Sequence, residues 1–360
     1  MLLGGMLAAC RDKGQTKTED MTTLTLTQEW DKVFPLSDKV THRKVTFATQ
    51  YGLTLAADLY TPASSEELKV RSGKWPAIAV SGPFGATKEQ SSGLYAMRMA
   101  ERGFVALAFD PSYTGESSGE PRRTASPDIN TEDFMAAVDF LSKQENVDAD
   151  RIGIIGICGW GGIALNAAAA DTRIKATVAS TMYDMTRVTA NGYFDAADNA
   201  DARFEMKKAL NTQRTADYKS GTYALAGGVP DKLPDDAPQF FKDYHAYYKT
   251  PRGYHARSLN SNGGWNVTSA LAFANAKLLA YSNEIRTPVL VIHGEKAHSR
   301  YFSEYAFERM TGKHVEGRSA KEGNKELYII PGASHVDLYD DEAGVVPYDK
   351  MEEFFKENLK

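Results

Sequence analysis

The stretch Asp150-Arg151-Ile152-Gly153-Ile154-Ile155-Gly156-Ile157-Cys158-Gly159-Trp160-Gly161-Gly162 constrains this chain more than any other. An apolar β-type run, Ile152–Ile157, passes without a linker into an Ala-rich segment of helical character. A strand that turns straight into a helix brings helix and sheet very close together, and only small residues at the turn permit it. The remaining chain repeats that alternation. Apolar β-type runs at Pro76–Val80, Val105–Phe109, Ala176–Ser180, Pro288–Ile292 and Glu326–Ile330 are separated by stretches of helical spacing. These helices are expected at Ser91–Glu101, Thr131–Ser142, Gly162–Ala170, Tyr301–Met310 and Tyr348–Asn358. Alternating strand and helix predicts an α/β protein with a mostly parallel sheet flanked by helices. Ahead of it, Arg43–Thr49 and Leu53–Tyr60 around Gln50-Tyr51-Gly52 predict a hairpin.

One stretch breaks the rhythm. Residues 185–283 hold helix-like pieces rich in Tyr, Phe, Arg and Lys, too much chain for a plain crossover, and are expected to form a mainly helical cap over the strand ends. The predicted organisation is therefore a leader and polar tether over 1–29, a first core segment over 30–184, the cap over 185–283 and a second core segment over 284–360. At 42% apolar and 25% charged, 360 residues supply a large core, and 42 basic against 47 acidic side chains argue against nucleic acid as a partner. Leu7-Ala8-Ala9-Cys10 resembles the lipobox of bacterial lipoproteins. That implies a cell-envelope location with a lipid on Cys10 as the link to a membrane; without such a leader the chain is expected in the cytoplasm. HExxH, CxxC, Walker and dinucleotide glycine motifs are absent from the sequence, so neither a metal nor a cofactor is expected.

The chemistry centres on the turn itself. A strand, a glycine-flanked residue and a helix make the elbow on which hydrolases mount a nucleophile, and Gly156 and Gly159 flank Cys158. A thiol there meets the positive end of the following helix, which is expected to favour the reactive thiolate. As a buried free Cys, the same residue would be only a small hydrophobe.

These residues resemble the α/β-hydrolase superfamily, in particular its dienelactone-hydrolase-like branch, whose elbow reads Gly-x-Cys-x-Gly-Gly. Gly156-Ile157-Cys158 fits, while Trp160 takes a small residue's place and the paired glycines come one position late. A neighbouring, polyketide-transferase-like pattern, Gly-Ile-Cys-x-Ser-Gly-Gly, would put Trp160 where a serine nucleophile stands, so the register is open between Cys158 and Trp160. The resemblance implies His335, after the last strand in Ser334-His335-Val336-Asp337, as general base. It places an aspartate after the penultimate strand, where Ile292-His293-Gly294-Glu295-Lys296-Ala297-His298 has Ala297 instead. Glu295 in that loop, or Asp184 after Ala176–Ser180, is then expected to orient the imidazole. His293, His245, His255, His42 and His314 lack the placement for chemistry, and only His298 is expected near the site. The oxyanion donors are expected to be the N–H groups of Gly159 and of Phe84 in Ser81-Gly82-Pro83-Phe84-Gly85.

The function implied is hydrolysis of an ester or thioester of a small organic acid through a Cys-His acyl-enzyme. Acyl transfer to another acceptor on the same fold, and a non-catalytic surface-tethered binding protein with a degenerate elbow, are the alternatives.

Overall fold

A computed structural model describes residues 22–63 and 73–360. Cys10 and the lipobox-like stretch lie outside the described residues. The expected tether is not wholly free of the fold: Thr27 N–H donates to Glu116 Oε1 at 2.6 Å, and Arg257 donates to Thr27 Oγ1 at 3.2 Å.

The hairpin strands β1 (Val40–Ala48) and β2 (Thr54–Pro62) pair antiparallel in register Val45↔Ala57, and β2 then pairs antiparallel with β4 (Val105–Phe109). From there the sheet is parallel through β3 (Trp75–Ser81), β5 (Val147–Ile157), β6 (Ala176–Ser180), β9 (Val289–Gly294) and β11 (Lys325–Ile330). A short β10 (Ala320–Glu322) closes the far edge antiparallel to β11. The strand order is β1-β2-β4-β3-β5-β6-β9-β11-β10. The chain order reverses at β3, so β3 and β5 leave a crevice beyond their carboxyl ends, where open α/β sheets bind ligands. Every residue of β3, β4 and β6 is buried, as expected of strands covered on both faces.

The covering helices are α1 (Ser91–Glu101), α2 (Pro127–Ser142), α3 (Gly159–Ala170), α8 (Arg300–Thr311) and α9 (Tyr348–Asn358). Two begin three or more residues earlier than their sequence signals. Thr131 reads as a cap, yet α2 starts a turn upstream with Pro127 at its first position, and Thr131 Oγ1 donates back to Pro127 O at 2.6 Å. The glycines after Cys158 read as turn, but they are the first turn of α3, since Gly161 N–H already donates to Cys158 O at 2.8 Å.

Between α3's partner strand β6 and β9 lie α4 (Met185–Asn191), α5 (Ala200–Ser220), α6 (Gln239–Tyr248) and α7 (Ala270–Ala274), with a two-stranded ribbon of β7 (Leu225–Gly227) and β8 (Gly263–Asn266). Asp184 opens α4 as its N-cap, accepting from Thr186 N–H and Arg187 N–H at 3.0 Å each.

Candidate active site

Cys158 sits between β5 and α3 at φ 57°, ψ −127°, a left-handed backbone conformation that non-glycine residues rarely adopt. Its backbone is held on both sides: Cys158 N–H donates to Ser180 O, and Tyr183 N–H donates to Cys158 O. Gly156 makes the turn possible, because a Cβ there would stand 2.1 Å from Trp160 O. The elbow register therefore falls on Cys158. Trp160 points the other way, only 1% exposed, with Phe109 and Phe134 at 5.6 and 5.3 Å between ring centroids. It is a core residue.

The Tyr339 hydroxyl and the backbone N–H groups of Gly159 and Phe84 face the Cys158 sulfur as donors that would steady its thiolate. The two expected oxyanion donors thus border the sulfur. The Phe84 loop is fastened from the cap. Asn260 Nδ2 donates to Phe84 O at 2.8 Å, Asn260 N–H and Ser258 Oγ donate to Gly85 O, and the Trp265 ring lies 4.8 Å from that of Phe84. Behind it, the Lys88 ammonium donates to Glu89, Asp110 and Glu116 within 2.6–2.8 Å, wholly buried. Those three carboxylates are the metal-type cluster found among the described residues, and Lys88 already supplies their cation.

His335 is 2% exposed and lies at the head of a single 3-10 turn, Val336–Leu338. Its Nε2 is 3.0 Å from Tyr339 Oη, and its Nδ1 is 2.6 Å from Ser299 Oγ and 2.9 Å from Thr181 Oγ1. Neither expected carboxylate is under the ring. Glu295 Oε2 accepts from Gly332 N–H at 2.8 Å on an exposed turn, and the Asp184 carboxylate is taken up in capping α4. Both positions are corrected for the same reason: each carboxylate is committed to backbone N–H groups, Asp184 to those of its own helix and Glu295 to that of Gly332 in the loop after β11. The orienting groups are hydroxyls instead. Ser299 Oγ is also 2.9 Å from His293 Nε2, and His293 Nδ1 is 2.6 Å from Ser303 Oγ. One set of donors satisfies the whole chain: His335 Nδ1–H donates to Ser299 and Thr181, Ser299 O–H to His293 Nε2, and His293 Nδ1–H to Ser303. In that arrangement His335 Nε2 carries no hydrogen and accepts from the Tyr339 hydroxyl.

Charge follows from this burial. Desolvation pushes the Cys158 thiol above its ordinary value despite the three donors, so the expected resting thiolate is replaced by a neutral thiol. Burial holds His335 well below the ordinary imidazole value, helped by His298 and His293, and His293 itself is pressed down to about 3. The pair rests uncharged. Around it stand Tyr183, Tyr193, Tyr244 and Tyr248, all with hydroxyls raised chiefly by burial. His298 stacks on Phe240 at 4.1 Å, bonds the Tyr183 hydroxyl and lies 5.6 Å from His335, ring to ring. A cleft of about 620 Å³ opens on the other side of α4, lined by Arg187, Arg203 and Lys207 among others, and includes neither Cys158 nor His335.

Tyr339, Ser299, Thr181 and His293 were not legible as site residues. The one available signal was the spacing of His335 and Tyr339, four residues apart, which a helical turn places on one face.

The fold and the elbow define an α/β-hydrolase, and the solved structure of the α/β hydrolase GrgF from a Penicillium species shares the fold at TM-score 0.68 and 21% identity, covering 89% of this chain and 99% of that one. More narrowly, the sequence model of the X-Pro dipeptidyl-peptidase (S15) family matches residues 52–341, and the chain belongs to that family. The protein PA2218 of Pseudomonas aeruginosa is 54% identical over 100% of this chain and 94% of its own length; its crystal structure superposes with TM-score 0.85 at 56% identity, covering 93% of this chain and 99% of that one. The acyltransferase drtE of Aspergillus calidoustus is 34% identical over 39% of this chain and 42% of its own length. The likeness of the elbow to dienelactone hydrolases stays a local one.

Proposed function

We propose that this chain hydrolyses an ester or thioester of a small organic acid through an acyl-enzyme on Cys158. The observation that carries the reading is a sulfur held at φ 57° on the strand–helix elbow, with the Gly159 and Phe84 N–H groups beside it. A tetrahedral intermediate formed on Sγ places its oxyanion one atom further from that sulfur, within reach of the same two donors. The S15 family ordinarily uses serine, and the elbow here presents sulfur in its place.

A dipeptidyl-peptidase must also hold the free amino terminus of its substrate, which calls for an anion. The side chains facing Cys158 and His335 are phenols, imidazoles and hydroxyls, and the nearby carboxylates Asp184 and Glu295 are bonded elsewhere. Phenol and aromatic faces suit an apolar or aromatic acyl group better than a charged peptide. Cys158 is 7% exposed, so a substrate parts this aromatic wall to reach it.

The test is turnover of a short-chain aryl ester with mass spectrometry of the quenched enzyme. An added acyl mass on the Cys158 peptide, with Cys158→Ala abolishing both adduct and turnover, is expected. Turnover that survives in Cys158→Ala would refute the reading. Because drtE carries the name acyltransferase, alcohols and amines are added as acceptors; product partitioning toward them at millimolar concentration would shift the assignment from hydrolysis to transfer.

A further inference from the structure

We infer that Tyr339 is a catalytic residue, its phenol relaying the proton between Cys158 Sγ and His335 Nε2. The inference rests on the reading of Cys158 as nucleophile and adds a group to its machinery. The same hydroxyl lies 3.0 Å from the imidazole nitrogen and acts on the sulfur as a donor toward its thiolate, so it stands between base and thiol.

A hydroxyl has one hydrogen and can be read in two directions. In the resting pair the thiol S–H donates to Tyr339 Oη, and Tyr339 O–H donates to His335 Nε2. After transfer, imidazolium Nε2–H donates to Oη, and O–H donates to the negative sulfur. Both end states fill every bond, and they differ only by two short hops. The Nδ1 side keeps Nε2 free to receive the proton, because Nδ1–H is already spent on Ser299 and Thr181.

The step balances without any further reactant. As Sγ attacks the carbonyl carbon, the thiol proton moves to Oη, the phenol proton moves to Nε2, and the carbonyl π pair becomes the oxyanion facing Gly159 and Phe84. Collapse of the oxyanion breaks the bond to the leaving group, which takes the proton back from His335 along the same route. In deacylation water gives its proton to the imidazole and its oxygen to the acyl carbon. The C–S bond then breaks and sulfur is reprotonated. No tyrosinate forms, which suits a phenol whose own ionisation burial strongly opposes.

The titratable groups packed around the relay are Tyr183 after β6, Tyr193 after α4, Tyr244 and Tyr248 on α6, and the imidazoles of His293 and His298. All rest neutral, so the thiol's apparent pKa reports its burial first and then its own donors. Removing the phenol hydroxyl takes away one of these and leaves the two N–H groups.

The experiment compares wild type with Tyr339→Phe in pre-steady-state hydrolysis of p-nitrophenyl acetate and in iodoacetamide labelling of Cys158 against pH. Expected are an acylation rate lower by roughly 100-fold, the scale of lost acid-base catalysis, KM changed by less than about threefold, and an apparent thiol pKa displaced upward. Wild-type acylation rate and an unmoved labelling curve in a folded Tyr339→Phe would overturn the relay. If that variant does not fold, a 3,5-difluorotyrosine at 339 keeps the shape while making the phenol more acidic; a severalfold change in acylation rate supports the relay and an unchanged rate overturns it. The two readings fail differently. An acyl-Cys158 adduct forming at full speed in the variants sinks only the relay, whereas no adduct on Cys158 in wild type sinks the nucleophile itself.

Discussion

An imidazole that rests on two hydroxyls instead of a carboxylate keeps its orientation and loses its electrostatic support. A carboxylate beneath Nδ1 would favour the imidazolium; Ser299 and Thr181 fix the tautomer while leaving the ring a weak base, well below the usual imidazole range. That matches a thiol better than an alcohol, because sulfur gives up its proton far more readily than a serine hydroxyl and asks less of its base. Since Thr181 still accepts from Nδ1 when Ser299 is gone, Ser299→Ala is expected to lower kcat for aryl ester hydrolysis only about fivefold to tenfold, one hydrogen bond of about 1 kcal/mol. Ser299→Ala combined with Thr181→Val leaves the tautomer unset and is expected to cost more than the product of the single losses. Steady-state kinetics on the three variants checks both statements. A protonated His335 cannot serve as base, and its depressed value means the acid limb of kcat/KM is expected well below pH 6.5.

Among the elements, the segment from β3 to α1 bears the heaviest constraint, for it must hold the Phe84 N–H at a fixed place. Two anchors do this. Lys88 joins Glu89, Asp110 and Glu116 in the interior, and Arg257 adds a second cation to Glu89 at 2.8 Å. Taking one partner from a buried ionic cluster leaves uncompensated charge behind, so Lys88→Met is expected to destabilise the fold by about 3–5 kcal/mol, read from urea midpoints. The elbow helix α3 is held by packing instead, and Trp160→Ala, which empties the space between Phe109 and Phe134, is expected to cost about 3–5 kcal/mol by the same measurement. Element boundaries show where local signals end. Helix α1 lies at Ser91–Glu101 as its apolar spacing predicted, whereas α3 begins three residues before Gly162 because Cys158's carbonyl opens the helix, a tertiary arrangement that glycine content conceals.

At the scale of the whole molecule, acid is the expected weakness. His293 and His298 are held down to about 3 and about 4, and His335 is also well below 6.5, all chiefly by burial. Each contributes stability that is fully present above the unfolded value of about 6.5 and is lost as pH falls toward the folded one. Glu116, held at about 2 chiefly by Lys88 against the opposing cost of burial, and Glu89, lowered in the same way, add a second loss once pH drops below about 4.5. Burial raises Asp133 to about 7 and raises Asp110 and Asp184 as well, so these carboxyls take up protons in the folded state over the same range and offset part of that loss. The histidine share is therefore read from the difference in urea midpoint between wild type and His293→Gln, expected to be constant from pH 8 to about 6.5 and to move against wild type below it; a difference unchanged to pH 4 would contradict a buried neutral His293.

What the amino-acid order determined by itself is local or periodic. Apolar runs spaced by helical segments imposed the parallel sheet, and small residues around Cys158 left only an elbow between Ile157 and the helix, because backbone sterics act over a few residues. His335 was singled out by the resemblance to the hydrolases, which puts a histidine after the last strand. The partners of His335 were decided by tertiary structure alone. Ser299, Thr181, His293 and Tyr339 come from the ends of different strands and turns, and nothing in a one-dimensional string ranks one hydroxyl above another. The carboxylates Glu295 and Asp184, by chemistry the better candidates, found backbone N–H donors elsewhere, Asp184 on its own helix and Glu295 on the loop after β11. Burial likewise set the protonation of the site, for the same thiol at a helix N-terminus is a thiolate when solvated and a thiol when enclosed by tyrosines.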